Sequence, residues 1–156
     1  MNLQEAKALA IELMDKHELI ANRWYFDFDN SVKRFGCCSH RNKRITLSKL
    51  ITERAPYDAV KDTILHEIAH ALAGRGQGHN IVWKRVCIAI GAKPQRCYSY
   101  EESGIEPIEL KWSATCGACG TVHHRARIVK PKSIRSCRCQ TGKPWSDRVL
   151  LEYKQN

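Results

Sequence analysis

The chain has 156 residues, of which 43% are hydrophobic, and a net charge of +10. This composition excludes a disordered chain and allows one ordinary globular domain, or a small domain with a very small second one. No long uninterrupted apolar run exists, so we expect no membrane span. The first twenty residues have acidic side chains within their apolar pattern, unlike a signal peptide, which predicts a cytoplasmic protein.

The first part of the chain contains a predicted helix, a strand and a hairpin. Apolar residues recur at three- and four-residue intervals over residues 3–20, which predicts an amphipathic helix. Aromatic and polar residues then alternate in RWYFDFDNS, which is typical of a half-buried strand. The segment VKRFGCCSHRNKRITLS predicts a hairpin with arms near residues 33–39 and 44–48. Together they indicate a short antiparallel sheet.

Two further helices follow, separated by a run that contains three glycines. The first begins at Pro56, a residue favoured at helix starts, and runs to about Ala73. The second begins near Asn80 and has Gly91 as its C-terminal cap. Residues 92–110 show no clear period, which predicts either a linker or an irregular packed segment. The tail beyond them is expected to form short strands between cysteine pairs.

The first of these two helices contains the sequence HEIAH, from His66 to His70. Residues four apart lie on the same face of a helix, so the two histidines can bind one metal ion together. Glu67 lies one step round the helix, where it can accept a proton from a water molecule that the metal activates. This HExxH pattern is typical of zinc metallopeptidases.

The same helix has two separate faces, which bears on whether the histidines bind a metal at all. The apolar face has side chains four residues apart, namely Val60, Ile64, Ile68 and Leu72. The other face, about 200° away around the helix, contains Asp62, His66 and His70. One face can therefore pack on a core while the other lines a cleft. This separation favours a metal site over the alternative of exposed or core histidines.

A third ligand is expected, because a catalytic zinc ion has three protein ligands and one open position. The first histidine downstream is His79, nine residues after His70, whereas the metzincin spacing would place it at Gly76. Gly74, Gly76 and Gly78 permit a tight reversal that returns His79 to the side of the first helix. Alternatively, His79 is a surface residue that caps the next helix.

The tail contains two pairs of cysteines with the spacing of metal ligands. They are Cys116 and Cys119 in TCGACG, and Cys137 and Cys139 in SCRC. Four thiolates on two short loops are typical of a structural zinc site, which would supply much of the folding energy of so small a segment. The second pair has one intervening residue where two are usual. Replacement of one thiolate by His123 or His124 therefore stays an alternative, as does a segment without metal.

Positive charge is concentrated in this tail. Residues 1–107 contain 16 Lys or Arg and 13 Asp or Glu, a net charge of +3, and residues 108–156 contain 10 and 3, a net charge of +7. Such asymmetry favours an anionic partner, and basic residues interleaved with aromatic ones suit single-stranded nucleic acid. The alternative is a solvated basic face. The candidate contacts are Arg125, Arg127, Lys130, Lys132, Arg135, Arg138 and Trp145.

The segment HEIAHALAGRGQGHNIVWKRVCIAIGA resembles the catalytic core of SprT-like zinc metallopeptidases, the Spartan-related family. In that family the HExxH helix is followed by a glycine-containing turn, a Gly-His pair and an aromatic residue four positions later. Gly78, His79 and Trp83 match this pattern here. The resemblance is strongest over residues 45–91, and elsewhere it concerns only the architecture, including a cysteine-paired zinc ribbon at the end.

The resemblance implies that His66, His70 and His79 bind a catalytic zinc ion and that Glu67 is the catalytic residue of peptide-bond hydrolysis. In Spartan-type members the substrates are proteins crosslinked to DNA or bound on it. We therefore expect an α+β protein with a small zincin-like metallopeptidase core over residues 1–107 and a small β zinc ribbon over residues 108–156.

The expected cofactors are two zinc ions per chain, one catalytic and one structural. The expected partners are a protein substrate and DNA, single-stranded rather than double-stranded, with no membrane partner, and the chain is expected to be a monomer in the cytoplasm or on the nucleoid. Two other functions fit the same residues. One is a non-enzymatic, zinc-containing nucleic-acid adaptor, and the other is a regulatory peptidase that needs no DNA.

Overall fold

The chain divides into two compact units, Met1–Pro107 and Ile108–Asn156. The computed structural model describes residues 1–95, 104–105, 108–126 and 135–156. Helices predominate in the first unit, whereas the second contains short strands and single helical turns. The predicted α+β class is thereby confirmed. Within the described residues, every helix is too short or too polar to cross a membrane.

The first unit contains four helices and three strands in its described part. In chain order they are α1 (Leu3–Lys16), β1 (Tyr25–Asp29), β2 (Gly36–Ser39), β3 (Arg44–Ser48), α2 (Lys49–Arg54), α3 (Tyr57–Ala73) and α4 (Ile81–Ile90). The short helix α2 was not predicted, and the Ser48 side chain caps it by accepting a hydrogen bond from the N–H of Ile51.

Helix α1 ends at Lys16, four residues before the end predicted from the apolar pattern. The chain turns there, with Glu18 at a positive φ of 58°. The turn brings Leu19 into the core, where only 4% of its surface is exposed, and its N–H bonds to the Met14 carbonyl. The predicted face ended on His17 and Ile20, which lie beyond the helix, and Ile20 is 36% exposed, so the spacing after Lys16 does not mark a helical face.

The sheet of the first unit is mixed, which corrects the prediction of a purely antiparallel sheet. Strands β2 and β3 form the predicted antiparallel hairpin, with Gly36 opposite Leu47 and Ser39 opposite Arg44. Strand β1 pairs with β3 in parallel, and the strand order is β1-β3-β2. The central place of β3 follows from its burial, because four of its five residues are buried. Residue pattern indicates which faces are apolar, but it does not indicate the direction of a neighbouring strand.

Helix α3 runs through the centre of the first unit, and both its predicted ends are confirmed. Pro56 is its N-cap and Gly74 its C-cap, with a φ of 92° at the glycine. All residues from Thr63 to Ala69 are buried, because α3 packs against α1, β2, β3 and α4. Leu72 is an exception to the predicted apolar face, since it is 40% exposed in the last turn.

Helix α4 also agrees with its prediction. The Asn80 side chain caps it by accepting hydrogen bonds from the N–H groups of Val82 and Trp83, and Gly91 ends it in the left-handed conformation. Trp83 and Cys87 are the buried residues of α4, and both are completely inaccessible to solvent. The position of α4 beside α3 is therefore set by these two side chains.

The second unit is built on a small three-stranded antiparallel sheet. Its strands are β4 (Trp112–Thr115), β5 (Val122–Arg125) and β6 (Lys154–Gln155), in the order β5-β4-β6. Two single turns of 3-10 helix lie at Arg138–Gln140 and Trp145–Asp147. Apart from Ala114, the buried apolar residues described in this unit are two cysteines, Cys116 and Cys137. Such a core is too small to account for a stable fold by apolar burial alone.

Candidate metal centres

Three histidine side chains of the first unit converge on one point. His66 and His70 lie one turn apart on α3, and His79 directly precedes the N-cap of α4. The Nε2 atom of His79 lies 3.2 Å from the Nε2 of His70 and 3.2 Å from that of His66. The three residues thus form a group whose ring nitrogens can hold one metal ion.

The glycine run between α3 and α4 makes this convergence possible. Gly74, Gly76 and Gly78 all have positive φ angles, of 92°, 85° and 52°. Side chains strongly disfavour such angles, so the reversal depends on glycine at these positions. The predicted reversal is present, and Asn80 begins α4 immediately after His79.

Trp83 forms an aromatic floor for the three imidazoles. Its ring stacks on His70 at 5.2 Å between centroids and meets His66 and His79 edge-to-face at 4.8 and 4.6 Å. The indole is fully buried, so the histidine rings are packed on a rigid surface. Trp83 therefore sets the orientations of the rings as well as the approach of the two helices.

The spacing and protonation of the histidines fit a tetrahedral metal ion. Zinc–nitrogen bonds of about 2.0–2.1 Å at tetrahedral angles place ligand nitrogens about 3.3 Å apart, close to the 3.2 Å observed. Burial, with His70 and His79 nearby, lowers the pKa of His66 to about 3. Burial, with His79 and His40 nearby, lowers that of His70 to about 4. Both rings are thus neutral at physiological pH and can donate a lone pair to a cation.

Glu67 lies next to this group and against the backbone of β2. A Cβ atom on Gly36 would come within 2.8 Å of the Glu67 Cγ and 2.9 Å of its Oε1, so only glycine leaves room for the carboxylate. The backbone N–H of Cys38 donates a hydrogen bond to that carboxylate. Burial raises the pKa of Glu67 to about 8, although Arg34 and this N–H act in the opposite direction. A bound cation would add to the lowering and favour the carboxylate.

The histidines and Glu67 open into a cleft of about 400 Å³, a volume typical of ligand sites. The α3 side of the lining is continued by the glycine run. The remaining lining comes from the loop before β2 and from the hairpin, and consists of Lys33, Arg34, Phe35, Gly36, Cys37, Cys38 and His40. The site is therefore accessible to a ligand larger than water.

Several residues of this cleft were not identified from the sequence. Gly36 had a detectable signal, since a glycine inside a strand often marks the close approach of another group. His40 and Arg34 had none, because the hairpin pattern does not show which part of it faces α3. Asp62 was assigned to the histidine face of α3, but its carboxylate instead accepts a hydrogen bond from the Lys93 N–H after α4.

Four cysteines of the second unit form a second group that can hold a metal ion, with all four sulfur atoms within 4.8 Å of one another. Cys116 and Cys139, and likewise Cys119 and Cys137, have their Sγ atoms 3.7 Å apart. Tetrahedral zinc–sulfur bonds of about 2.3 Å would place them about 3.8 Å apart, whereas a disulfide needs about 2.05 Å. The donor set therefore fits zinc without a histidine.

A concavity of about 690 Å³ in the second unit brings together part of the predicted nucleic-acid surface. The predicted residues that line it are Arg125, Arg135, Arg138 and Trp145. Arg127, Lys130 and Lys132 lie outside the described residues. The Arg125 guanidinium lies 5.1 Å above the ring of Tyr153, which also lines the concavity, and Trp145 is 51% exposed. The same concavity thus offers cations and one exposed indole, that of Trp145, with the Arg148 guanidinium 5.0 Å above its ring.

An HExxH helix with a third histidine returned beside it, open to a cleft, is the arrangement of a metallopeptidase-like domain. The model of the SprT-like family matches residues 11–102, more than half of the chain. The chain therefore belongs to the SprT-like family. Searches of the curated proteins and of the solved structures found no match.

The histidine group and the cysteine group together predict how the zinc content of the protein responds to substitution. The intact chain is expected to bind two zinc ions, and the double variant His70→Ala, His79→Ala about one, since a single remaining histidine binds zinc poorly. His40→Ala is the matched control, because His40 lines the same cleft but is not in the group, and it is expected to retain two. Elemental analysis of purified protein measures the content. Full zinc and full activity in His79→Ala would show that the third ligand is misassigned.

Proposed function

We propose that the chain is a zinc-dependent peptidase that cleaves proteins bound or crosslinked to DNA. In this proposal His66, His70 and His79 hold the catalytic zinc ion and Glu67 transfers protons. The observation that carries it is the convergence of three imidazole nitrogens beside a buried glutamate, in a cleft of about 400 Å³.

Zinc in this position would polarise the scissile carbonyl and lower the pKa of a water molecule. Glu67 would take the proton from that water as it attacks the carbonyl carbon, and would then deliver it to the departing amine. The contact with Gly36 and the N–H of Cys38 hold the carboxylate in one place through both transfers. Burial raises the proton affinity of Glu67, which suits a group that must both accept and release a proton near neutral pH.

The edge of β2 is suited to align an extended substrate. The bond from the Ser48 N–H to the Phe35 carbonyl, together with the register of Cys37 opposite Thr46, directs the backbone groups of Cys37 towards β3. Those of Gly36 and Cys38 therefore point away from β3, at the edge of the sheet beside Glu67. The Cys38 N–H is already donated to Glu67, so a peptide that pairs with this edge would use the other backbone groups of Gly36 and Cys38, and its carbonyl groups would lie along the cleft.

The second unit supplies the proposed link to nucleic acid. The four cysteines would hold a structural zinc ion, which replaces the missing apolar core of this unit. Arginines can then track phosphates while exposed Trp145 stacks on a base, as in other single-strand sites. The concavity that combines these groups is the observation that favours nucleic acid over a merely solvated basic face.

Glu67→Gln tests the peptidase proposal most directly. The amide has the same size but cannot accept the proton, so the rate of peptide cleavage is expected to fall by about 10²–10⁴-fold, with two zinc ions retained. The assay is cleavage of a fluorogenic peptide and of a DNA-bound protein. Glu53→Gln, at an exposed position of α2, is the matched control and is expected to cleave normally. Absence of cleavage by the zinc-loaded parent, with Glu67→Gln behaving identically, would favour the non-enzymatic adaptor.

Gly36→Ala tests whether the β2 backbone positions Glu67. The new methyl group would displace the carboxylate, so kcat is expected to fall on the order of 10- to 100-fold, while zinc content stays at two. Cys37→Ala removes a neighbouring side chain without entering the Glu67 contact, and is expected to have a far smaller effect on kcat. The two variants are compared by steady-state kinetics and elemental analysis. An unchanged kcat in Gly36→Ala would rule out this positioning role.

Trp145→Ala tests the nucleic-acid surface. Loss of one base stack costs about 1–3 kcal/mol, so the Kd for a single-stranded oligonucleotide is expected to rise about 5- to 150-fold. Fluorescence anisotropy measures it, and Tyr57→Ala is the control because Tyr57 is equally exposed but lies in the first unit. Equal effects of both substitutions would contradict the proposal.

Cleavage rates with and without the oligonucleotide then separate a DNA-dependent peptidase from a DNA-independent regulatory one.

A further inference from the structure

The cleft that contains Glu67 is also lined by two adjacent cations, Lys33 and Arg34. Both lie in the loop that connects β1 to β2, and both side chains are exposed. Within the described residues that line the cleft, Glu67 is the one carboxylate. A bound zinc ion would make the cleft still more positive, so its electrostatic field favours an anionic group on the ligand.

Arg34 is held in place by a carboxylate that is itself fixed. Its Nη2 donates to the Oδ2 of Asp29 at 2.9 Å. The same oxygen accepts a hydrogen bond from the Thr46 hydroxyl at 2.9 Å, and the Oδ1 of Asp29 accepts one from the Ser31 N–H at 2.8 Å. Burial alone would raise the pKa of Asp29, but the bonds from Arg34, Ser31 and Thr46 outweigh it and lower the pKa. The ion pair therefore persists at neutral pH.

The ion pair leaves much of the Arg34 side chain accessible. The bond to Asp29 uses one of the five N–H donors that a guanidinium has. The side chain is 56% exposed, against 22% for Asp29, so the acid is covered while the cation reaches solvent. The ion pair thus holds the guanidinium at the cleft. Part of the conformational entropy of the Arg34 side chain is therefore already lost before a ligand binds.

We propose that Arg34, assisted by Lys33, binds the carboxylate of an aspartate or glutamate side chain in the peptide substrate, close to the scissile bond. A guanidinium matches a carboxylate through two parallel N–H···O bonds, which a lysine cannot reproduce. The cleft then selects acidic positions within a polypeptide and rejects basic ones next to its cations. This inference rests on the proposed peptidase function, because it defines the substrate of that same site.

Paired peptides test the proposal. The two members of each pair are identical except for Glu or Gln at one position within three residues of the scissile bond. The intact enzyme is expected to prefer the Glu peptide by about 10-fold in kcat/KM at one position, the size of one charge-assisted pair. In Arg34→Gln this ratio is expected to fall to about 1, and in Arg34→Lys to an intermediate value. Arg34→Glu is expected to prefer a Lys peptide.

Arg41→Gln is the matched control, since it removes one positive charge from the hairpin turn without touching the cleft lining. Its Glu-to-Gln ratio is expected to equal that of the intact enzyme. High salt is expected to reduce the preference, because it screens an exposed ion pair. Equal ratios in Arg34→Gln and the intact enzyme would overturn the proposal and leave Arg34 as a structural partner of Asp29, and so would a ratio of 1 in the intact enzyme.

A binding assay separates this inference from the peptidase function. Zinc-loaded Glu67→Gln protein is titrated into the same labelled peptides and followed by fluorescence anisotropy. If the intact chain cleaves no peptide but the Glu peptide still binds about 10-fold more tightly, and Arg34→Gln removes that difference, the inference holds and the peptidase proposal fails. Equal Kd values for the Glu and Gln peptides overturn the inference, whatever the cleavage assay shows.

Discussion

The return of α4 alongside α3 is the constraint on which the rest of the first unit depends. Without it, α3 would present only His66 and His70, and two imidazoles do not define a catalytic zinc site. Three glycines at positive φ reverse the chain within a few residues, and the buried Trp83 joins the helices beneath the rings. The candidate metal site is therefore a property of the helix pair, and the three histidines cannot converge before the two helices have packed.

Besides the convergence of the three histidines, the site needs a fixed position for Glu67, and the sheet of the first unit provides it. The glutamate points to the side of α3 that β2 covers, where Gly36 leaves space and Cys38 supplies a backbone donor. The same strand belongs to a hairpin, and the loop before it contains Arg34, which pairs with Asp29 at the end of β1. Strand β2 therefore positions the carboxylate, and the loop before it contains the cations of the cleft, so in the proposed peptidase changes in this segment would affect chemistry and specificity together.

Residue order predicted local structure well, because helices and turns depend on nearby residues. The ends of α3 and α4 followed from Pro56, Gly74 and Gly91, and the glycine run pointed to the return of His79. Contacts between distant segments were the part that could not be predicted. The parallel pairing of β1 depends on how it meets β3, and the placement of Arg34 and His40 in the cleft depends on how the hairpin packs on α3. No local sequence pattern encodes that packing. Gly36 is the one residue that indicated it, because a glycine inside a strand often marks the close approach of another group.

In the proposed function, the second unit supplies affinity for nucleic acid and the cleft of the first unit selects the bond to be cleaved. A basic surface that binds nucleic acid by phosphate contact and base stacking gains affinity without regard to sequence. A substrate attached to the same nucleic acid is then present at a high effective concentration, so the cleft need not bind it tightly. A shallow electrostatic preference, such as that of Arg34 for a carboxylate, is sufficient to select one bond among many. In the proposed peptidase, the cleft and the strongly charged second unit would thus have complementary roles, one in selecting the bond and the other in binding the nucleic acid that carries the substrate.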